Sequence, residues 1–93
     1  MAFEVKRSQE VRDVLSQMIV LLNHGGASEW ARALEIQARD LSSDPDLVVS
    51  KILSMYSGMG SLNDVVLYKD GRILKDENDN LDGLRERLYQ LCV

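Results

Sequence analysis

Four breaks in the chain limit what it can become. They are Asn23-His24-Gly25-Gly26, Asp44-Pro45, the run Ser57-Gly58-Met59-Gly60-Ser61, and Asp70-Gly71. Glycine opens left-handed backbone and proline removes an amide donor, so each break ends the element before it. What remains between them is a set of short pieces. None can bury its apolar side alone, so all must share one core. The length of 93 residues points the same way and predicts a single domain, 1–93.

Periodicity assigns the pieces. Val11, Val14, Leu15, Met18 and Leu22 recur at steps of three and four, which predicts a first helix over about 8–23 with Ser8 as its N-cap. A second helix is expected from Ser28 as N-cap to about Leu41, with Trp30, Ala33, Leu34, Ala38 and Leu41 as its stripe. Glu35 and Arg39 support it as an i,i+4 pair. The third starts at Asp44, with Pro45 at the first helical position and Asp46 at the positive end of the dipole. It is expected to carry Val48, Val49, Ile52, Leu53 and Tyr56 and to end at Gly58. The stretch 65–74 reads as a hairpin, strand-forming from Val65 to Tyr68, with Asp70-Gly71 suited to a type I′ turn. A last helix over about 79–92 places Leu81, Leu84, Leu88, Leu91 and Cys92 on one side. The expected fold class is therefore mainly α: a compact bundle of four helices with a short β-hairpin between helices three and four.

Composition and charge exclude several functions. An apolar content of 45% and a charged content of 28% describe a globular chain, not a disordered one. A net charge of −4 argues against a nucleic-acid footprint, which needs clustered Lys and Arg. The longest apolar run, 18–22, is far too short to span a bilayer, so no membrane role is expected. The opening MAFEVKR has no apolar signal segment, and a lone cysteine, Cys92, forbids an internal disulfide; a cytoplasmic setting is expected.

The chain also lacks parts for common chemistries. A nucleophilic triad would have to use His24, the sole histidine, and Cys92 ends an apolar stripe where thiols are buried and inert. One His and one Cys cannot build a zinc site. The acidic stretch 76–83 fails as a calcium loop in either register, because the twelfth position holds Arg87 or Tyr89 instead of a bidentate glutamate. The sequence GMGSLND has neither the lysine of a P-loop nor a preceding strand. No catalytic residue, cofactor or metal is expected. Trp30 reads as core, with any exposed part available as an anchor.

Trp30-Ala31, and later Gly58-Met59-Gly60-Ser61-Leu62-Asn63-Asp64 followed by an apolar run, resemble a bacterial family of small proteins of unknown function. That family carries a Trp-Ala helix and a GMGS-x-ND motif. The resemblance follows the order of elements over about 11–92, but its specific part is short, and Ser57 stands where glycine is commoner. It implies the helical architecture and singles out the loop, and it supplies no reaction. Some members resemble immunity proteins in size and acidity.

The expected function is a protein-binding module, an immunity- or antitoxin-like inhibitor of another protein. Its expected contact residues are Asp76, Glu77, Asp79 and Asp82, four acids with no base among them, together with Trp30. One alternative is a small-ligand or enzymatic site around Ser61, Asn63 and Asp64. Another is a homodimer using Ile19, Val20 and Leu21, which lie off the main stripe of the first helix. The loop itself is expected to be structural first. Gly58 should end helix three in a left-handed conformation, Gly60 should allow a tight reversal, and Met59 should enter the core. Ser61, Asn63 and Asp64 should satisfy backbone N–H groups.

Overall fold

The stripe that defines the first helix becomes the centre of the core. In the computed structural model, which describes residues 5–58 and 60–93, the chain runs through α1 (Val5–His24), α2 (Ser28–Asp40) and α3 (Pro45–Ser54). A single 3₁₀ turn (Leu62–Asp64), strands β1 (Tyr68–Lys69) and β2 (Arg72–Ile73), and α4 (Lys75–Cys92) follow. The fold is mainly α, with a two-stranded antiparallel hairpin between helices three and four, as the sequence predicts. α1 packs on α2 and α4, and α3 closes against the same two helices. Val11, Val14, Leu15, Met18 and Leu22 are all buried, together with Leu34, Leu41, Ile52, Leu81 and Leu88. Burying each such side chain contributes about 1.5–3 kcal/mol before entropy is counted. Leu62 and Leu67 join them from the connector between α3 and α4, so that irregular segment is anchored at two points.

The element boundaries differ from expectation in instructive ways. α1 starts at Val5, so Ser8 lies inside the helix and does not cap it. Ser28 is the first residue of α2; the N-cap is Ala27, which makes no side-chain cap bond. α3 begins as expected, with Asp44 Oδ1 accepting from the Leu47 N–H at 3.2 Å and Pro45 in the first turn. It ends at Ser54, ahead of Gly58, because Met55 and Tyr56 donate to carbonyls three residues back and tighten the last turn. Gly58 then takes φ +90°, the left-handed value expected of it.

The hairpin is shorter than the sequence suggests. Asp70 at φ 53° and Gly71 at φ 77° make the type I′ turn, but pairing is confined to Tyr68 with Ile73 and Lys69 with Arg72. Residues 65–67 are not strand: Arg85 takes the Val65 carbonyl, and the Asn78 side chain takes the Leu67 N–H. α4 begins at Lys75, four residues before expectation, which puts Asp76 and Glu77 in the first turn where the dipole favours acids. Among the proposed dimer residues, Ile19 and Leu21 pack partly against the core, while Val20 is 68% exposed. Met59, expected to enter the core, lies outside the described residues. No helix among those described is long and apolar enough to cross a membrane.

Candidate functional site

The connector between α3 and β1 holds most of the residues singled out by the sequence, and polar contacts fix it from several sides. Asp64, at the end of the 3₁₀ turn, reaches back so that Oδ2 accepts from the Gly60 N–H at 2.9 Å and the Ser61 N–H at 3.3 Å. Asn63 does something other than expected: its Nδ2 donates to the Tyr56 carbonyl at 3.1 Å, satisfying an acceptor left open at the end of α3. Ser61 is buried, and Gly60 adopts φ +70°. These contacts tie the turn at 62–64 back to Gly60, Ser61 and the end of α3.

The group that fixes its far end comes from α4. Arg85 Nη1 donates to the carbonyls of Leu62 and Val65, both at 3.0 Å, and to that of Asn63 at 3.3 Å. Its Nη2 pairs with Asp82 one turn earlier, and its side chain is only 11% exposed. A planar guanidinium suits this task because it carries several donors in a fixed fork. Asn78 plays a similar part for Leu67. Its Oδ1 accepts from the Leu67 N–H at 2.8 Å and its Nδ2 donates to the Leu67 carbonyl at 3.1 Å. On the opposite side Gly25 lies against the Leu67 side chain, and the Gly25 carbonyl accepts from the Tyr68 N–H at 3.0 Å.

Three clefts open around this clamped segment. The first, about 440 Å³, lies between the start of α2 and the loop; Trp30, Glu29, Gly60, Ser61, Asp64 and Val66 line it. Trp30 is half-buried against the core there, and the two segments that carry the sequence resemblance face each other across this space. The second cleft, about 710 Å³, lies between the end of α3 and α4 and includes Tyr56, Asn63, Asp82, Arg85, Glu86 and Tyr89. The third, about 290 Å³, adjoins it, sharing Asn63, Asp82 and Arg85 and adding Val66, Ile73 and Asp79.

The four acids of the expected contact patch do not act as one group. Glu77 turns toward His24, with His24 Nε2 3.7 Å from its carboxylate. Asp79 accepts from Lys75 Nζ at 3.0 Å, and Asp82 pairs with Arg85. Asp79 and Asp82 face the second and third clefts, Asp76 and Glu77 line none of the three, and Trp30 lines the first. Sequence reading missed Asn78, Arg85 and the Tyr56–Tyr89 pair. The spacing Asp82, Glu86, Tyr89 (i, i+4, i+7) was the available signal for a shared helix face.

Three described groups have shifted acidity. Burial pushes the Cys92 thiol up to about 11, with Arg7 opposing, so it stays protonated at neutral pH and is a poor nucleophile. Burial, followed by the charge of Cys92, raises the Tyr56 hydroxyl well above its usual range, and that hydroxyl donates to the Arg85 carbonyl at 2.7 Å. Hydrogen bonding to Asp79 raises Lys75. Among the described residues no three of His, Cys, Asp or Glu converge as metal ligands would.

A family model described as a domain of unknown function (DUF6966) matches residues 23–75, which includes Trp30 and the whole loop. No curated protein matches this chain. No solved structure matches it either.

Proposed function

This chain belongs to the DUF6966 family, whose domain is of unknown function, and from its surface we propose that it is a protein-binding module for a basic partner, an inhibitor of the immunity or antitoxin kind acting in the cytoplasm. The observation that carries this reading is the face where the second and third clefts meet. Val66, Ile73 and Tyr89 are 46%, 61% and 40% exposed there, beside the carboxylates of Asp79, Asp82 and Glu86. Apolar and aromatic groups with charges around them are the make-up of an interface core and rim. The overall charge of −4 would speed and orient the approach of a basic protein.

The test is affinity capture with two surface variants, Ile73→Asp and Asp79→Lys, each checked for native circular dichroism. A basic protein should be recovered by the parent chain, released by salt, and lost with either variant. Recovery that neither variant alters would overturn the proposal.

A second reading is a small-molecule site in the first cleft. Its volume falls in the range of about 300–1,000 Å³ usual for ligand pockets, and Trp30 faces Asp64 across it. That reading requires Trp30 fluorescence to respond to a ligand, and Asp64→Asn to abolish the response in a folded protein. The homodimer remains as a third, carried by Val20, and a monomer mass by light scattering at high concentration would remove it.

A further inference from the structure

The cleft between α3 and α4 has a chemistry of its own. Tyr56 and Tyr89 meet edge to face, with ring centroids 5.3 Å apart and planes inclined at 60°. Tyr56 is fixed by the bond from its hydroxyl to the Arg85 carbonyl, whereas Tyr89 is 40% exposed. Asp82, Glu86 and Tyr89 lie at i, i+4 and i+7 on α4 and therefore share one side of the helix. Arg85 is the one cation among the described residues lining the cleft, and Asp82 together with three backbone carbonyls engages its guanidinium. Glu86 has no cationic partner among the described residues; its contact is a hydrogen bond from Gln90 Nε2 at 3.3 Å. The cleft thus presents aromatic surface beside an uncompensated carboxylate.

We propose that this cleft receives one arginine side chain of the partner, its guanidinium lying on the Tyr89 ring and paired with Glu86. Aromatic faces attract cations, and a planar, weakly hydrated guanidinium can stack on a ring while its N–H groups meet a carboxylate. The volume of about 710 Å³ leaves room for the side chain with its backbone. This inference rests on reading the face as a partner-binding surface and names what that partner inserts.

The test uses N-acetyl-arginine amide, titrated into the full chain and followed by amide NMR. N-acetyl-citrulline amide, the same shape without the charge, is the control. Shifts should concentrate at Ser57, Asn63, Glu86 and Tyr89, weaken with added salt and be absent with citrulline. Glu86→Gln and Tyr89→Leu should each weaken binding roughly threefold or more. Equal shifts with citrulline, shifts scattered over α1 and α2, or no effect of either variant would overturn the inference. If the arginine response is missing while Ile73→Asp still loses the captured protein, the arginine pocket falls and the binding module stands. A focused arginine response combined with capture that ignores Ile73→Asp and Asp79→Lys removes the module reading and overturns the inference with it, leaving a guanidinium site without the partner.

Discussion

The side chain of Asn78 bonds to both backbone groups of Leu67, accepting from its N–H at 2.8 Å and donating to its carbonyl at 3.1 Å. One amide thus adds to the hairpin bond from the Leu74 N–H to the Leu67 carbonyl at 3.0 Å and takes up the Leu67 N–H, at a residue whose own side chain is buried in the core. The Asn78 N–H and Nδ2 both reach the Leu74 carbonyl as well, so the same residue joins the start of α4 to the return arm of the hairpin.

Asn78→Ala should destabilise the protein by about 2–3 kcal/mol, because the Leu67 N–H is left unpaired away from water. Asn78→Asp keeps the acceptor and should cost less. Urea midpoints of the three proteins, with unchanged m-values, check the ranking; equal midpoints for Ala and the parent would refute it.

Two glycines should respond in opposite directions. A Cβ on Gly25 would lie 2.5 Å from the Leu67 Cβ, so Gly25→Ala should cost about 1–3 kcal/mol through overpacking. A Cβ on Gly83, inside α4, meets nothing within 4 Å, so Gly83→Ala should gain about 0.5–1 kcal/mol from helix propensity. Thermal melts of both variants against the parent decide the signs.

Gly58→Ala forces a side chain into φ +90° and should cost about 1 kcal/mol, although the space around it is open. Asp64→Asn weakens the two backbone bonds to the carboxylate and should cost about 1–2 kcal/mol. Unfolding curves of both variants that overlay the parent's would show that the loop is not chiefly structural.

Alkaline pH should destabilise the fold. The Cys92 thiol is pushed from 9.0 up to about 11, chiefly by burial, so the folded state keeps a proton that the unfolded chain releases in that window. The contribution is complete below pH 9 and is lost as pH rises toward 11, a fall of roughly 2–3 kcal/mol. The raised Tyr56 hydroxyl acts in the same direction. Urea midpoints near neutral pH and near about pH 10 should diverge less for Cys92→Ala than for the parent.

The helices were legible because their signal is repeated: five stripe residues in α1 all point inward, and chance does not place them so. The Asp70-Gly71 turn was legible because few residue pairs tolerate two positive φ values. The strand expected at 65–68 was not, since Val65, Val66 and Leu67 look like strand formers. In the fold Leu67 enters the core, and its N–H goes to the Asn78 side chain while only its carbonyl is met by the return arm, through the Leu74 N–H. Arg85 and Asn78 were hidden for a physical reason. A polar residue on a helix reads the same whether it meets water or a carbonyl twenty residues away. The acidic stretch was visible, but which carboxylates face a cleft depends on helix phase and on where α4 begins.

The three carbonyls held by Arg85 also set an order of events during synthesis. The ribosome delivers α1, α2, α3 and the whole connector before residue 85 exists, so the turn at 62–64 emerges without the guanidinium that joins its carbonyls. A helix made after the connector supplies groups that fix it. Until α4 is made, the three carbonyls lack the guanidinium that joins them, so the final shape of the connector waits on a helix delivered after it.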